Sequence, residues 1–397
     1  MKNKLIFILI IILIATSCKT KFNVINVNDI EDYEDAIIYG LPKTALNISV
    51  EVEEIHKQKG PFYKYAKKYL GTNNVIKSDV TEYRISKIKI GTFPVSDSSN
   101  FYAVIPGEES GLHYITLTSQ GFIAGINLDN LQIEQLEQKQ EEIYLSEKNN
   151  EKLNYAEFSV NSIRETKYDT LYKEVYQDSV FVTKPIIKKK MVFKTPEKQA
   201  KELADQIFLL RDDRNALLKG ESDGGKIPEG SALKIMIEQL NKLENEYMNL
   251  FTGRSLSIKK FYNFKYIPEN KNFKEEKILF NFTKSKGIDT HIEDAEMPVI
   301  LELFPDNTFS PIAKFSNILL SEDKKKQKGI YYRIPGNAQI KIMLGNKIIT
   351  QKKITIAQYG TINYLPASIF KKDVNIEFYH ETGALKKISK QKNDQNK

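Results

Sequence analysis

Between Thr195 and Gly253 the sequence carries two apolar seams at helical spacing, and the chain on either side of them reads as strands. That contrast constrains the architecture more than any other feature. Thr195-Pro196-Glu197 places a capping hydroxyl, a first-turn proline and an acid in the order a helix start needs. Leu203, Ile207, Leu210 and Leu217 follow on one face, and Gly220 stops the run. A glycine-containing turn, Glu221 to Pro228, leads to a second seam of Leu233, Met236, Leu240, Leu243, Tyr247 and Leu250, closed by Gly253. Two seams of similar length with a short connector predict an antiparallel helical hairpin over 195–253.

Before the hairpin, Leu46, Ile48, Val50 and Val52 alternate with polar residues, the period of a sheet with one buried face. Gly60 to Gly71 interrupts with a short amphipathic helix: Phe62, Tyr65, Ala66, Tyr69 and Leu70 on one side, Lys64, Lys67 and Lys68 on the other. That aromatic stripe reads as core. Strand patterns resume at Tyr83 to Ile90, Phe101 to Ile105, Tyr114 to Leu117 and Phe122 to Ile126. Residues 19–128 are therefore expected to form a β-rich antiparallel domain. A Glu/Gln-rich linker is expected over 129–157, because Leu131, Leu136 and Ile143 are too sparse for a core face. A β segment follows over 158–194. After the hairpin, 254–385 reads as a second β-rich domain, with Ile278, Phe280 and Phe282 alternating and Gly345-Asn346 placed as a hairpin turn. Lys386, Lys387, Lys390 and Lys392 open a basic tail, 386–397, expected to be disordered. The fold class is α+β: two β-rich antiparallel parts with a two-helix hairpin between them. Whether the two parts share one core is left open.

The address lies in residues 1–18. Lys2 and Lys4 precede an apolar run, Leu5 to Ile14, about half the roughly 20 residues a spanning helix needs. Ala15, Thr16 and Ser17 are small, as a signal peptidase requires, and Cys18 follows them. A plain secretory signal does not require that cysteine; a lipoprotein signal does, because its thiol takes the lipid. Lipidation at Cys18 and anchoring to the lipid bilayer are the expectation, with more than one acyl chain holding the protein firmly. Cys18 is the single cysteine, so no disulfide, thiol nucleophile or thiolate metal site is expected in the mature chain. No acidic run follows Cys18, which favours the periplasm-facing side of an outer membrane over the cell surface. The formal net charge of +8 is modest for 397 residues, and nucleic acid is not an expected partner of an exported chain. The 21 tyrosines and 21 phenylalanines suit strands and interfaces, whereas tryptophan platforms for sugars are absent.

No chemistry-bearing constellation stands out. Gly220-Glu221-Ser222-Asp223-Gly224 matches the pattern of hydrolase nucleophile elbows, but the mechanism needs a strand before the serine, and here a helix precedes it. His56, His113, His291 and His380 show no zinc-ligand spacing, and no nucleotide-binding loop is present. No catalytic residues, metal ligands or cofactors are therefore assigned. Arg211-Asp212-Asp213-Arg214 is the densest charge cluster within a helix, and Arg214 falls on the apolar seam. These four are candidates for a structural ion pair fixing the hairpin register, or for binding an acidic group on a partner.

Ile207 to Arg211, Leu217 to Glu221, Leu243-Glu244 and Tyr247 to Gly253 resemble blocks of the domain-of-unknown-function family 4831. Leu41 to Thr44, Gly60 to Gly71 and Gly329 to Gly336 extend the resemblance over nearly all the mature chain. It implies an exported envelope protein of the Bacteroidota with no established activity, and it supplies no catalytic residues. The expected function is that of a non-enzymatic outer-membrane lipoprotein, an accessory or scaffold subunit of an assembly, export or uptake complex. The alternatives are a glycan- or small-ligand-binding module, which needs a tyrosine-lined pocket, and a hydrolase without a recognisable motif, which needs histidines and acids to converge.

Overall fold

The computed structural model describes residues 22–29, 36–107, 111–128, 164–177, 180–221, 230–269, 272–291, 297–306, 329–371 and 373–390. Cys18, Ser222, the 129–157 linker and residues 391–397 lie outside them. The chain divides into two compact units. One draws on Met1–Val52, Ile85–Leu145 and Phe261–Lys397, the other on Glu53–Arg84 and Ser146–Lys260.

The protein is β-rich with antiparallel sheets, not the balanced α+β of the sequence reading. The difference arises in two places. The helix expected over Gly60 to Gly71 amounts to one 3-10 turn and α1 (Ala66–Leu70), too short to form a layer. The strands, by contrast, run long. β2 (Ile37–Gln58) and β3 (Val80–Pro106) are continuous, although the polar residues between Ile90 and Phe101 read from sequence as a break. With β1 (Phe22–Asn26) and β8 (Arg254–Tyr266) they form a four-stranded sheet in the order β1-β3-β2-β8. In β2 the expected alternation is present from Leu46 onward: Leu46, Ile48, Val50 and Val52 are buried and Asn47, Ser49 and Glu51 between them are not, although Ala45 before them is buried as well. Each such side chain contributes about 1.5–3 kcal/mol on burial.

The nine-stranded sheet mixes early and late chain. Its C-terminal strands are β9 (Glu275–Thr283), β10 (Gly287–Asp289), β11 (Pro298–Pro305), β12 (Gly329–Leu344), β13 (Lys347–Pro366), β14 (Val374–Tyr379) and β15 (Ala384–Lys390). β4 (Ile115–Leu117) and β5 (Ile123–Ile126) complete it from the N-terminal side, through Ile126 opposite Ile376. Gly345-Asn346 makes the two-residue turn between β12 and β13. Lys386 to Lys390, read from sequence as the start of a tail, is strand, with Lys387 opposite Glu377, Ile388 opposite Ile376 and Lys390 opposite Val374. Phe22, Tyr39, Leu41 and Val104 share one buried cluster with Ile330, Phe370, Ile376 and Phe378, so the two β parts have a common core.

In the other unit, α2 (Pro196–Lys219) and α3 (Ser231–Thr252) form the expected helix pair. Thr195 Oγ1 accepts the Lys198 N–H at 3.3 Å, Pro196 fills the first turn, and Gly220 ends α2 at φ 75°. Ala200, Ala204, Ile207 and Phe251 form the buried centre, with Phe62, Tyr65 and Tyr69 packed on it. The aromatic stripe of 60–71 is core, with Phe62 and Phe251 ring centroids 5.8 Å apart. The same unit holds a two-stranded ribbon, β6 (Arg164–Gln177) and β7 (Val180–Phe193).

Candidate functional site

The charge cluster of the hairpin resolves into an internal clamp. Arg211 Nε donates to Glu244 Oε1 at 2.6 Å, and Arg214 Nη1 pairs with Glu244 Oε2 and donates to Asn241 Oδ1 at 2.7 Å. Two arginines one turn apart on α2 thus grip one carboxylate on α3, which fixes how the helices slide against each other. Burial works against the Glu244 charge, but the two arginines more than offset it and hold the carboxyl below the usual range. Asp212 and Asp213 are exposed.

The histidines sit in different local settings. His56 Nε2 is 3.2 Å from Glu54 and its Nδ1 3.1 Å from Thr81 Oγ1, an order that resembles a hydroxyl-imidazole-carboxylate relay. Glu54 is however also paired with Lys260 and takes a hydrogen bond from Tyr83, so its charge is already committed. The His113 N–H donates to Asn127, the His291 N–H to Asp289, and His380 lies 3.8 Å from Glu381. Among the described residues no group of three His, Cys, Asp or Glu side chains is placed to hold a metal. No helix among them is long and apolar enough to cross a membrane.

Two cavities among the described residues have no tyrosine in their lining. One of about 250 Å³ is lined by Thr44, Thr92, Phe93, Lys353, Thr355 and Glu381, and a wider one between α2 and α3 by Asp213, Leu217, Ile235, Met236 and Leu240. Several tyrosines instead stack inside the first unit, Tyr39 on Tyr102 and Tyr102 on Tyr331, with centroids 5.7 and 4.3 Å apart. Burial pushes Tyr102 up to about 12. Beside this stack lies a buried ion pair. Asp97 and Arg333 are 2 % and 4 % exposed and bonded to each other, and Lys43 reaches Asp97 at 3.1 Å.

The ribbon is different. Its register runs without a break from Arg164↔Phe193 to Gln177↔Val180, and among the described residues neither strand has a second neighbour. Directly opposed residues share a face. One face carries Tyr168, Tyr172 and Tyr176 with Phe181, Ile187, Met191 and Phe193, every one of them 64–73 % exposed, interspersed with Arg164, Glu174 and Lys189. The other carries Lys167, Lys173, Lys184, Lys188 and Lys190 around Leu171, Val175, Val182 and Ile186. Leu171, Val182 and Ile186 are 42–43 % exposed, sheltered by the lysine stems more than the aromatic face is, where Arg164 lies over the Phe193 ring. A two-stranded ribbon is marginal in water by itself. Exposed apolar side chains gathered on one face in this number are unusual on a protein surface. Sequence reading recognised the strands but missed the face. The signal was Tyr168, Tyr172 and Tyr176 at every fourth residue, on the face that Phe181, Ile187, Met191 and Phe193 of β7 share.

The fold and this surface define a β-rich protein with a short helical pair and an exposed aromatic ribbon. The chain belongs to the family described as Domain of unknown function (DUF4831), whose sequence model matches residues 35–386. No curated protein and no solved structure matches it.

Proposed function

We propose that this protein is a non-enzymatic lipoprotein of the outer membrane, anchored through Cys18 and facing the periplasm, that serves as an accessory or scaffold subunit of an assembly, export or uptake complex. The observation that carries the reading is the β6–β7 ribbon. Seven large apolar side chains on one face of an isolated ribbon are costly to leave in water, and a protein partner removes that cost. Tyrosine and phenylalanine are the residue types that anchor such interfaces. The signal-like Met1 to Cys18 supports the membrane address.

The test is affinity purification from gently solubilised, cross-linked membranes, comparing the native protein with Tyr168→Thr/Tyr172→Thr/Tyr176→Thr. Threonine keeps the strand propensity and removes the rings. The native protein is expected to recover a stoichiometric outer-membrane partner and the triple variant to lose it, with unchanged circular dichroism. Recovery of the native protein alone counts against the reading. Cys18→Ser is expected to move the protein from the membrane to the soluble fraction.

A further inference from the structure

We propose that the edge of β6 that no described strand occupies pairs antiparallel with the same edge of a second copy, in a register centred on Leu171. The inference rests on the reading of the ribbon as an interaction surface and names one of its occupants. Three observations carry it.

The first is Pro185. It has no N–H, yet the ladder continues across Tyr172↔Pro185. That pair must therefore sit where both residues direct their backbone groups away from the ribbon. By the period of two, the outward groups on β6 belong to Thr166, Tyr168, Thr170, Tyr172, Glu174 and Tyr176, an edge without a proline or glycine. The outward edge of β7 is interrupted at Pro185, a usual guard against strand addition. Of the two edges, β6 is the one open to pairing.

The second observation is charge. The β7 strand carries Lys184, Lys188, Lys189 and Lys190 and no acid, so its edge repels a copy of itself. The β6 strand carries Arg164, Lys167 and Lys173 against Glu165, Asp169 and Glu174. It is self-complementary, but only in some registers. Outward groups must meet outward groups, which restricts a two-fold pairing to registers centred on a residue. Centred on Asp169, that residue opposes its own copy. Centred on Thr170, Lys167 opposes Lys173. Centred on Tyr172, the overlap shortens and no opposite charges meet. Centred on Leu171, Asp169 faces Lys173 twice, Tyr168 faces Glu174 twice, and no like charges are opposed.

The third observation is the aromatic face. In this pairing the two ribbons become a four-stranded sheet with both aromatic faces on the same side. Four strands pass the threshold at which a sheet with an apolar face holds itself. The dimer thereby presents a doubled surface to any further partner.

The pairing places Leu171 opposite its own copy at a position without direct hydrogen bonds, with Cα atoms about 4.5 Å apart. That distance suits a disulfide. The test uses the full-length chain with Cys18→Ser, so that an introduced thiol is its only one, purified in detergent and mildly oxidised. Leu171→Cys is expected to give at least tenfold more disulfide dimer than Asp169→Cys alone. An equimolar mixture of Asp169→Cys and Lys173→Cys is expected to cross-link as a heterodimer, which checks the register without touching Leu171. Light scattering of the chain without an added cysteine should report a dimer. A monomer at tens of micromolar, or equal cross-linking at all three positions, overturns the proposal. If Leu171→Cys stays uncross-linked while the tyrosine triple variant still loses a heterologous partner, this inference falls and the partner reading stands. If Leu171→Cys cross-links while the triple variant keeps its partner, the reverse holds.

Discussion

Asp97 and Arg333 lie 236 positions apart in the chain and are bonded to each other in the interior of one unit. Around them Asn100 Nδ2 donates to Asp97 Oδ2 at 2.7 Å and the Ser99 N–H to Oδ1 at 3.2 Å. Burial alone would raise the Asp97 carboxyl, but Asn100, Lys43 and the charge of Arg333 outweigh it and hold it below the ordinary value. Removing one member leaves the other charged and unpaired, so Asp97→Ala is expected to cost about 3–5 kcal/mol in urea unfolding. Replacing both, as in Asp97→Leu/Arg333→Met, is expected to recover most of that loss, because a buried pair contributes little beyond its apolar substitute. The same geometry sets a pH dependence. Asp97, Glu54 and Glu244 all have folded-state values below the unfolded ones. Their contribution is complete above the usual carboxylate range and is lost as pH falls through the folded values. Thermal melts should therefore weaken progressively below about pH 4, and Asp97→Leu/Arg333→Met should show a shallower decline.

At the scale of elements, the helix pair was legible because its signals are local. A cap, a first-turn proline, a seam and a stopping glycine all lie within one stretch of chain, from Thr195 to Gly220. Its clamp was only half legible: Arg214 on the seam announced a partner, but Glu244 was identified as that partner by the packing. Glu244→Ala is expected to cost about 1–2 kcal/mol, less than a fully buried pair because Arg211 and Arg214 keep some solvent. Hydrogen exchange should show the loss in α2 and α3 with β12 and β13 unchanged. The ribbon was harder to read. A spacing of four, as in Tyr168, Tyr172 and Tyr176, fits one face of a helix and one face of a strand alike. The opposing residues of β7 that complete the aromatic face become visible once the register Tyr172↔Pro185 is known.

At the scale of the molecule, alternation told which residues of a strand are buried but not which strand they meet. Leu46, Ile48, Val50 and Val52 were readable as a buried row; the pairing of Ile126 with Ile376 was not, because a period carries no address. The junction of β12 and β13 shows how narrow the tolerance is. Their register shifts between Ile334 and Gly336, and a Cβ on Gly360 would lie 1.6 Å from the Ile334 carbonyl oxygen. Gly360→Ala is expected to cost about 3 kcal/mol or more, since backbone has to move. Gly91→Ala, whose nearest contact would be 3.8 Å, is expected to stay within about 0.5 kcal/mol by the same denaturation assay.

The shared core also dictates an order of events. Phe22, near the start of the chain, finishes its burial against Phe370, and the Tyr39 hydroxyl closes on the Tyr331 backbone across 292 positions. A ribosome delivering this chain presents the first strands long before their partners exist. Those strands have to wait, apolar rows uncovered, until the last strands have emerged, which makes folding slow and leaves the nascent chain open to aggregation. The helix pair has no such wait, because its two seams leave the exit within a few dozen residues of each other.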